Sequence, residues 1–192
     1  MSILLPETNA EAQGNAGAVA LAFPAGASFK PANRGFTMGI FVETPVANYE
    51  ANVNHTVICR GTGNTGTADA YLRFNQAASQ LTAIYKQGGS NIFPSTTLSG
   101  VPNGGKRILI MLIATANDTY VVACEAVAGA TAIYAKQGSP STGIYAANLS
   151  ASDAWTRIGP GNSASRGHYG AVEEAFFILG EFPEVSGGPD RK

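Results

Sequence analysis

The stretch Arg107-Ile108-Leu109-Ile110-Met111-Leu112-Ile113-Ala114 is apolar without a break after its first residue. A run of that kind predicts a strand covered on both faces, central in its sheet. Elsewhere the pattern alternates. Tyr71, Arg73 and Asn75 interleave with Leu72 and Phe74, a period near two that predicts a half-buried strand. Residues 36–43 are rich in β-branched and aromatic side chains and run up to Pro45. Shorter strand signals fall at 19–23, 55–60, 80–86, 119–127, 132–136, 154–158 and 169–182. Asn117-Asp118 suits a hairpin turn between the apolar run and the segment after it. Helical periodicity is confined to Asn9–Gln13, where Gly14 and Gly17 stop it. About ten short strands separated by polar loops predict an all-β fold, a two-sheet antiparallel β-sandwich whose apolar faces meet ~10 Å apart.

Two loops are longer than the ~12–15 residues usual for structureless connections. They span 87–105 and 137–153 and are rich in Gly, Ser, Pro and Asn. Each is either functional or contains edge strands that the pattern does not reveal. "AIYKQGGS" at 83–90 echoes "AIYAKQGS" at 132–139. The rest of the two halves does not align, so these are two similar strand ends and not a repeat.

Gly61, Gly63 and Gly66 have the spacing G-x-G-x-x-G. A dinucleotide cradle needs a helix after the last glycine and an acidic residue about 20 residues on. Here Thr67–Asn75 alternates as a strand, and Tyr85-Lys86-Gln87-Gly88 holds no carboxylate. The glycines are therefore read as a loop between strands.

Composition narrows the partners. Of 192 residues, 45% are hydrophobic and 13% charged, with net charge −1. That is about half the usual charged fraction, and it leaves no basic footprint for nucleic acid. A weakly charged surface suits a molecule packed into a larger assembly, where each buried charge would have to shed water. Met1–Glu7 lacks a basic n-region, so no secretory signal is expected, and no apolar stretch reaches the ~20 residues of a membrane helix. The sequons at Asn54, Asn117 and Asn148 then reflect composition. Cys59 and Cys124 form either one disulfide or two buried free thiols, and the second is favoured. Neither sits in a zinc-ligand pattern.

Reactive constellations are sparse. Retaining glycoside hydrolysis needs two carboxylates ~5–5.5 Å apart, whereas Glu173 and Glu174 are adjacent in a strand and belong to opposite faces. Glu181 is too far along to meet Glu174. No G-x-S-x-G elbow accompanies His55 or His168, which are read as solvated loop residues. No enzymatic activity is expected. No cofactor is expected either; a calcium ion would need loop oxygens from separate parts of the chain, because Asp69, Asp118, Asp153 and Asp190 stand singly. The residue types that recognise sugars, aromatic platforms and planar polar groups, gather late in the chain: Trp155, Tyr145, Arg157, Asn162, Arg166 and Tyr169. Tyr71 and Tyr85 are expected to cover sheet edges.

The order of segments resembles a known family. "AVALAFPAGASFKPANRGFTMGIFVETP" (18–45), "HTVICRGTGNTGTADAYLRFN" (55–75), the apolar run with "TYVVACEAV" (119–127), and "WTRIGPGNSASRGHYGAVEEAFFILGEFP" (155–183) follow the order of laminin-G-like, concanavalin A-like jelly-roll domains. Ile158-Gly159 and Gly170–Ile178 stand where that family has its closing motif. Lys106-Arg107 stands where the family carries a tryptophan, and Glu173 replaces its aspartate, which weakens a calcium site. The resemblance covers 18–183, leaving 1–17 as an arm that docks on a neighbour and 184–192 as a flexible tail. It implies a non-catalytic interaction module similar to bacteriophage virion components such as decoration, tail or fibre-associated proteins. Its partners would be itself, other virion proteins or a cell-surface glycan. Its location would be the virion, after synthesis without a signal peptide and without membrane insertion. The alternative reading is a lectin-like carbohydrate-binding module; a glycoside-active enzyme comes third.

Overall fold

The computed structural model describes residues 3–5, 19–22, 36–44, 55–61, 68–75, 80–87, 90–91, 95–114, 118–138, 155–158, 166–167 and 170–179. Among them are fourteen strands and no helix. Six form one antiparallel sheet, in the order β1 (Ile3–Leu5), β14 (Gly170–Leu179), β3 (Phe36–Glu43), β9 (Arg107–Ala114), β10 (Asp118–Glu125) and β11 (Ile133–Gly138). The second sheet runs β2 (Val19–Ala22), β12 (Trp155–Ile158), β4 (His55–Gly61), β5 (Ala68–Phe74) and β6 (Gln80–Gln87). The far edge of β6 is shared by β7 (Ser90–Asn91) and β8 (Thr96–Ser99). The short β13 (Arg166–Gly167) lies parallel to β4, beside β12.

Alternation decides what each sheet contributes to the core. Phe36, Met38, Ile40 and Val42 of β3 point inward with Ile108, Ile110 and Leu112 of β9. From the opposite sheet come Ile58, Leu72, Phe74, Leu81 and Leu98, all in one buried cluster. The chain is therefore a β-sandwich. The apolar run is strand β9, held between β3 and β10. It is apolar throughout because its outer face is covered as well: Met111 and Ile113 cluster with Val122 under Leu109, Tyr120 and Phe176.

Threonines make two of the polar contacts inside and at the rim of the core. The hydroxyls of Thr96 on β8 and Thr119 on β10 bond to each other at 3.3 Å, both side chains buried, and tie one sheet to the other. At the rim Thr44 accepts from the Lys106 amide through its hydroxyl at 2.8 Å and donates its own N–H to the Lys106 carbonyl at 2.7 Å. That pair fixes the chain entering β9.

The glycine triplet falls between the described parts of two antiparallel strands: Gly61 ends β4, and the segment from Ala68 is strand β5, not a helix. Gly63 and Gly66 lie outside the described residues. The stretch 87–105 contains two strands, β7 and β8, the edge strands that the loop-like composition of the stretch hid. Ile3–Leu5, inside the expected arm, pairs with β14 of its own chain. The helical turn expected at 9–13 and the tail 184–192 lie outside the described residues.

Candidate functional site

The outer face of the eight-stranded sheet is set by a bulge. Register shifts between Thr56 and Ile58, so Val57 is the extra residue and both Val57 and Ile58 enter the core. Bulges re-aim neighbouring side chains. Here the shift leaves Thr56 opposite Arg73 of β5. Arg73 is opposite Thr82 of β6, and Thr82 is opposite Thr97 of β8. Four strands thus place Thr56, Arg73, Thr82 and Thr97 in a single row, on the side away from Leu72 and Phe74.

The row is polar and incompletely bonded. Thr82 and Thr97 share a hydroxyl hydrogen bond at 3.0 Å. The Thr56 hydroxyl, on a side chain 0% exposed, has no partner, and neither does the buried Nε of the half-buried Arg73. Two residues further along β5's alternation, Asn75 donates from its amide to Gln80 Oε1 at 3.5 Å, while its own buried Oδ1 lacks a donor. Native structures leave few such groups, and each calls for an explanation.

On the other side of Arg73 runs the row Cys59–Tyr71–Ile84. Tyr71 is 3% exposed and clusters with Ile84, apart from the main core. The Arg73 guanidinium carbon lies 5.6 Å from the centre of its ring. Burial pushes the Tyr71 phenol above its usual 10.0, and the charge on Arg73 pulls it part of the way back. Tyr71 therefore supports Arg73 and does not offer a free ring. The expectation that it covers a sheet edge is corrected: β5 has β4 on one side and β6 on the other. His55 is likewise a buried strand residue, not a solvated loop residue.

Three of the six sugar-contact candidates fall on described strands, and all three lie along one edge of β4. Arg157 stands opposite Cys59, which extends the Tyr71 row by one strand. Trp155 is two residues from Arg157 on β12, opposite Ala22. Arg166 opens β13 opposite His55, in the row that continues through Phe74 and Leu81. Tyr145, Asn162 and Tyr169 lie outside the described residues. Sequence reading passed over Arg73, Thr56, Thr82 and Thr97. Their alternation was visible, but the pairing that lines them up depends on a bulge.

Other groups are already occupied. Glu173 binds the Arg107 guanidinium, with Arg107 Nε at 2.9 Å from its carboxylate, and sits in a bulge of β14 beside the exposed Glu174. Lys106 pairs with Glu125 and Lys136 with Asp118, each at 3.3 Å. Cys124 is a free thiol, half-buried where a buried one was expected, and donates to the Glu125 carbonyl at 3.6 Å. Among the described residues no group of three or more His, Cys, Asp or Glu gathers. A shallow concavity at one end of the sandwich is lined by Gly100, Pro102, Val127, Gly129 and Thr131, and its charged member, Glu125, is the one held by Lys106.

No family model and no curated protein matches the chain. Solved structures do. The carbohydrate-binding module CBM40 of a Ruminococcus gnavus IT-sialidase, bound to α2,3-sialyllactose, superposes with TM-score 0.60 at 13% identity, over 94% of this chain and 92% of that one. Tailspike protein 2 of an Escherichia coli O157:H7 bacteriophage superposes with TM-score 0.59 at 13% identity, over 94% of this chain and 25% of that one. The chain thus spans about a quarter of the tailspike's length. At this identity the likeness is one of fold, a β-sandwich used in both settings.

Proposed function

We propose that this protein is a non-catalytic β-sandwich module that binds a saccharide on the outer face of its eight-stranded sheet. The observation that carries the reading is the polar row on that face, with Thr97 exposed, Arg73 half-buried, and Thr56 Oγ1, Arg73 Nε and Asn75 Oδ1 without partners beneath. Saccharides are recognised by such convergent planar and hydroxyl groups on a rigid surface. Thr97 and Ser99 are exposed at one end of the patch and give it access to solvent. Trp155 and Arg157 stand on β12, Arg157 in the row of Tyr71, and are the candidates for an aromatic surface and a further donor. The sandwich shared with a sialidase's binding module and with a phage tailspike supports the reading and keeps the concanavalin A-like, phage-derived placement as part of it. Glu173 is engaged by Arg107, which favours binding without cleavage.

The test is a glycan array followed by calorimetry on the full chain. Binding to at least one oligosaccharide at about 1 mM or tighter is expected, and Trp155→Ala should abolish it while the melting temperature holds. An array with no hits, or hits that survive Trp155→Ala undiminished, overturns the reading. Release of reducing ends from a bound oligosaccharide overturns its non-catalytic half.

A second reading, a virion protein that assembles through its own surface, has its own observation. The outer face of the six-stranded sheet carries the apolar cluster around Met111, Ile113 and Val122, flanked by Tyr134 at 39% and Ile178 at 37% exposure. Low charge across the chain favours the same use. A concentration-dependent oligomer in light scattering is the expected outcome. A monomer at all concentrations removes self-assembly.

A further inference from the structure

We infer that the saccharide taken by this face is an acidic one, whose carboxylate is held by Arg73; this rests on the saccharide-binding reading above. Among the cations whose side chains are described, Lys106, Arg107 and Lys136 each have a carboxylate partner. Arg73 has none. It is also the one that is set into a sheet face, half-buried, with Nε sealed from solvent. Part of that charge is shut off from water with no counter-ion, which is costly unless an acceptor reaches the part of the group that is still accessible.

The surroundings say what arrives. Every described side chain in the two rows nearest the guanidinium is neutral: Thr56, Thr82 and Thr97 beside it, then Asn75, Gln80 and Ser99. No carboxylate among the described side chains competes there. Asp69, the acidic residue on the same alternation of β5, is four residues away, about 13 Å along the strand. A single planar cation among hydroxyls and amides matches a planar monoanion, because the guanidinium fork meets both carboxylate oxygens at once. The Thr82–Thr97 pair uses one hydroxyl proton internally, so the other remains to donate to the same ligand. The Tyr71 ring beneath the guanidinium holds the fork in place before the ligand binds, which lowers the cost of ordering it.

The experiment uses the full chain and an array of sialylated and uronic-acid oligosaccharides, each beside its carboxyl-reduced neutral counterpart and a sulfated analogue. Hits are followed by calorimetry at low and high salt. The acidic member of a pair should bind at least about tenfold tighter than the neutral one, and the advantage should shrink as salt rises. Arg73→Gln should erase the difference between the two while leaving weak binding of both. It should also leave the melting temperature unchanged or higher, since it removes a half-buried charge with no carboxylate partner; a lower melting temperature would mark Arg73 as structural and overturn the inference. Should Arg73→Gln not fold, Thr56→Val is the second variant, and it must narrow the preference. Equal affinity for acidic and neutral members in the wild type overturns the inference while saccharide binding survives. Equal affinity for the sulfated analogue overturns the choice of a carboxylate. An array with no hits overturns both.

Discussion

At the scale of single residues, Thr96 and Thr119 show how a buried polar pair is tolerated. Each hydroxyl satisfies the other at 3.3 Å between the sheets. Thr119→Val removes one partner and strands the Thr96 hydroxyl among apolar neighbours, which costs about 1–3 kcal/mol. The double replacement Thr96→Val with Thr119→Val keeps the shape and removes both polar groups, so it should recover most of that loss. Chemical denaturation of Thr96→Val, Thr119→Val and the double variant measures the coupling; a double variant as unstable as the sum of the singles contradicts the pairing. Tyr71 makes a pH prediction. Its phenol is raised above 10.0 by burial, so the folded state holds that proton more tightly than the unfolded chain does. The stability it contributes is complete below about pH 10 and is lost as pH rises through the folded value. Tyr71→Phe should flatten the alkaline limb of the stability curve by one titrating group, and an unchanged limb would show that Tyr71 ionises as freely in the fold as outside it. The residues of the polar row were legible as an alternation, since Tyr71, Arg73 and Asn75 interleave with Leu72 and Phe74. What no alternation reveals is that Thr56 joins them, because the extra residue Val57 reverses the parity of β4 at that point.

At the scale of elements, strands with long or strongly patterned sequences were readable, as were the short β2 and β12, whereas β1, β7, β8 and β13 were not. β9 and β5 stand where uninterrupted apolarity and strict alternation put them. β13 has two residues and β8 four, too few to carry a period; their positions come from pairing with β4 and β6. Sheet pairing also explains a glycine. Gly39 of β3 stands opposite Phe176 of β14, and a Cβ on Gly39 would collide with the tip of the phenyl ring, at Cζ. The aromatic side chain lies over the glycine and fills the hollow that it leaves, a cross-strand arrangement that shields the exposed backbone. Gly39→Ala should therefore cost about 1–3 kcal/mol through overpacking, more than the gain in strand propensity returns. Combining it with Phe176→Leu should restore part of the loss. If Gly39→Ala alone is neutral in thermal melts, the ring moves freely and the pairing contributes little.

At the scale of the whole molecule, the two outer faces differ in kind. The six-stranded sheet presents Tyr120, Val122, Tyr134, Phe176 and Ile178 outward, bordered by the paired charges Lys136–Asp118 and Arg107–Glu173. The eight-stranded sheet presents the threonine row and a cation without a counter-ion. A sandwich puts such faces on opposite sides of one core, with two layers of strands between them. Residues this far apart, with no shared contacts, act independently. Assembly through the apolar face and ligand binding on the polar one should then separate by mutation. Tyr134→Glu with Ile178→Glu places charge where an apolar contact would need to shed water, and should lower any self-association seen by sedimentation while saccharide affinity is unchanged. Arg73→Gln should do the reverse. If the two glutamates weaken saccharide binding, or Arg73→Gln dissolves the oligomer, then the faces communicate, and ligand must be held between copies of the chain instead of on one sheet.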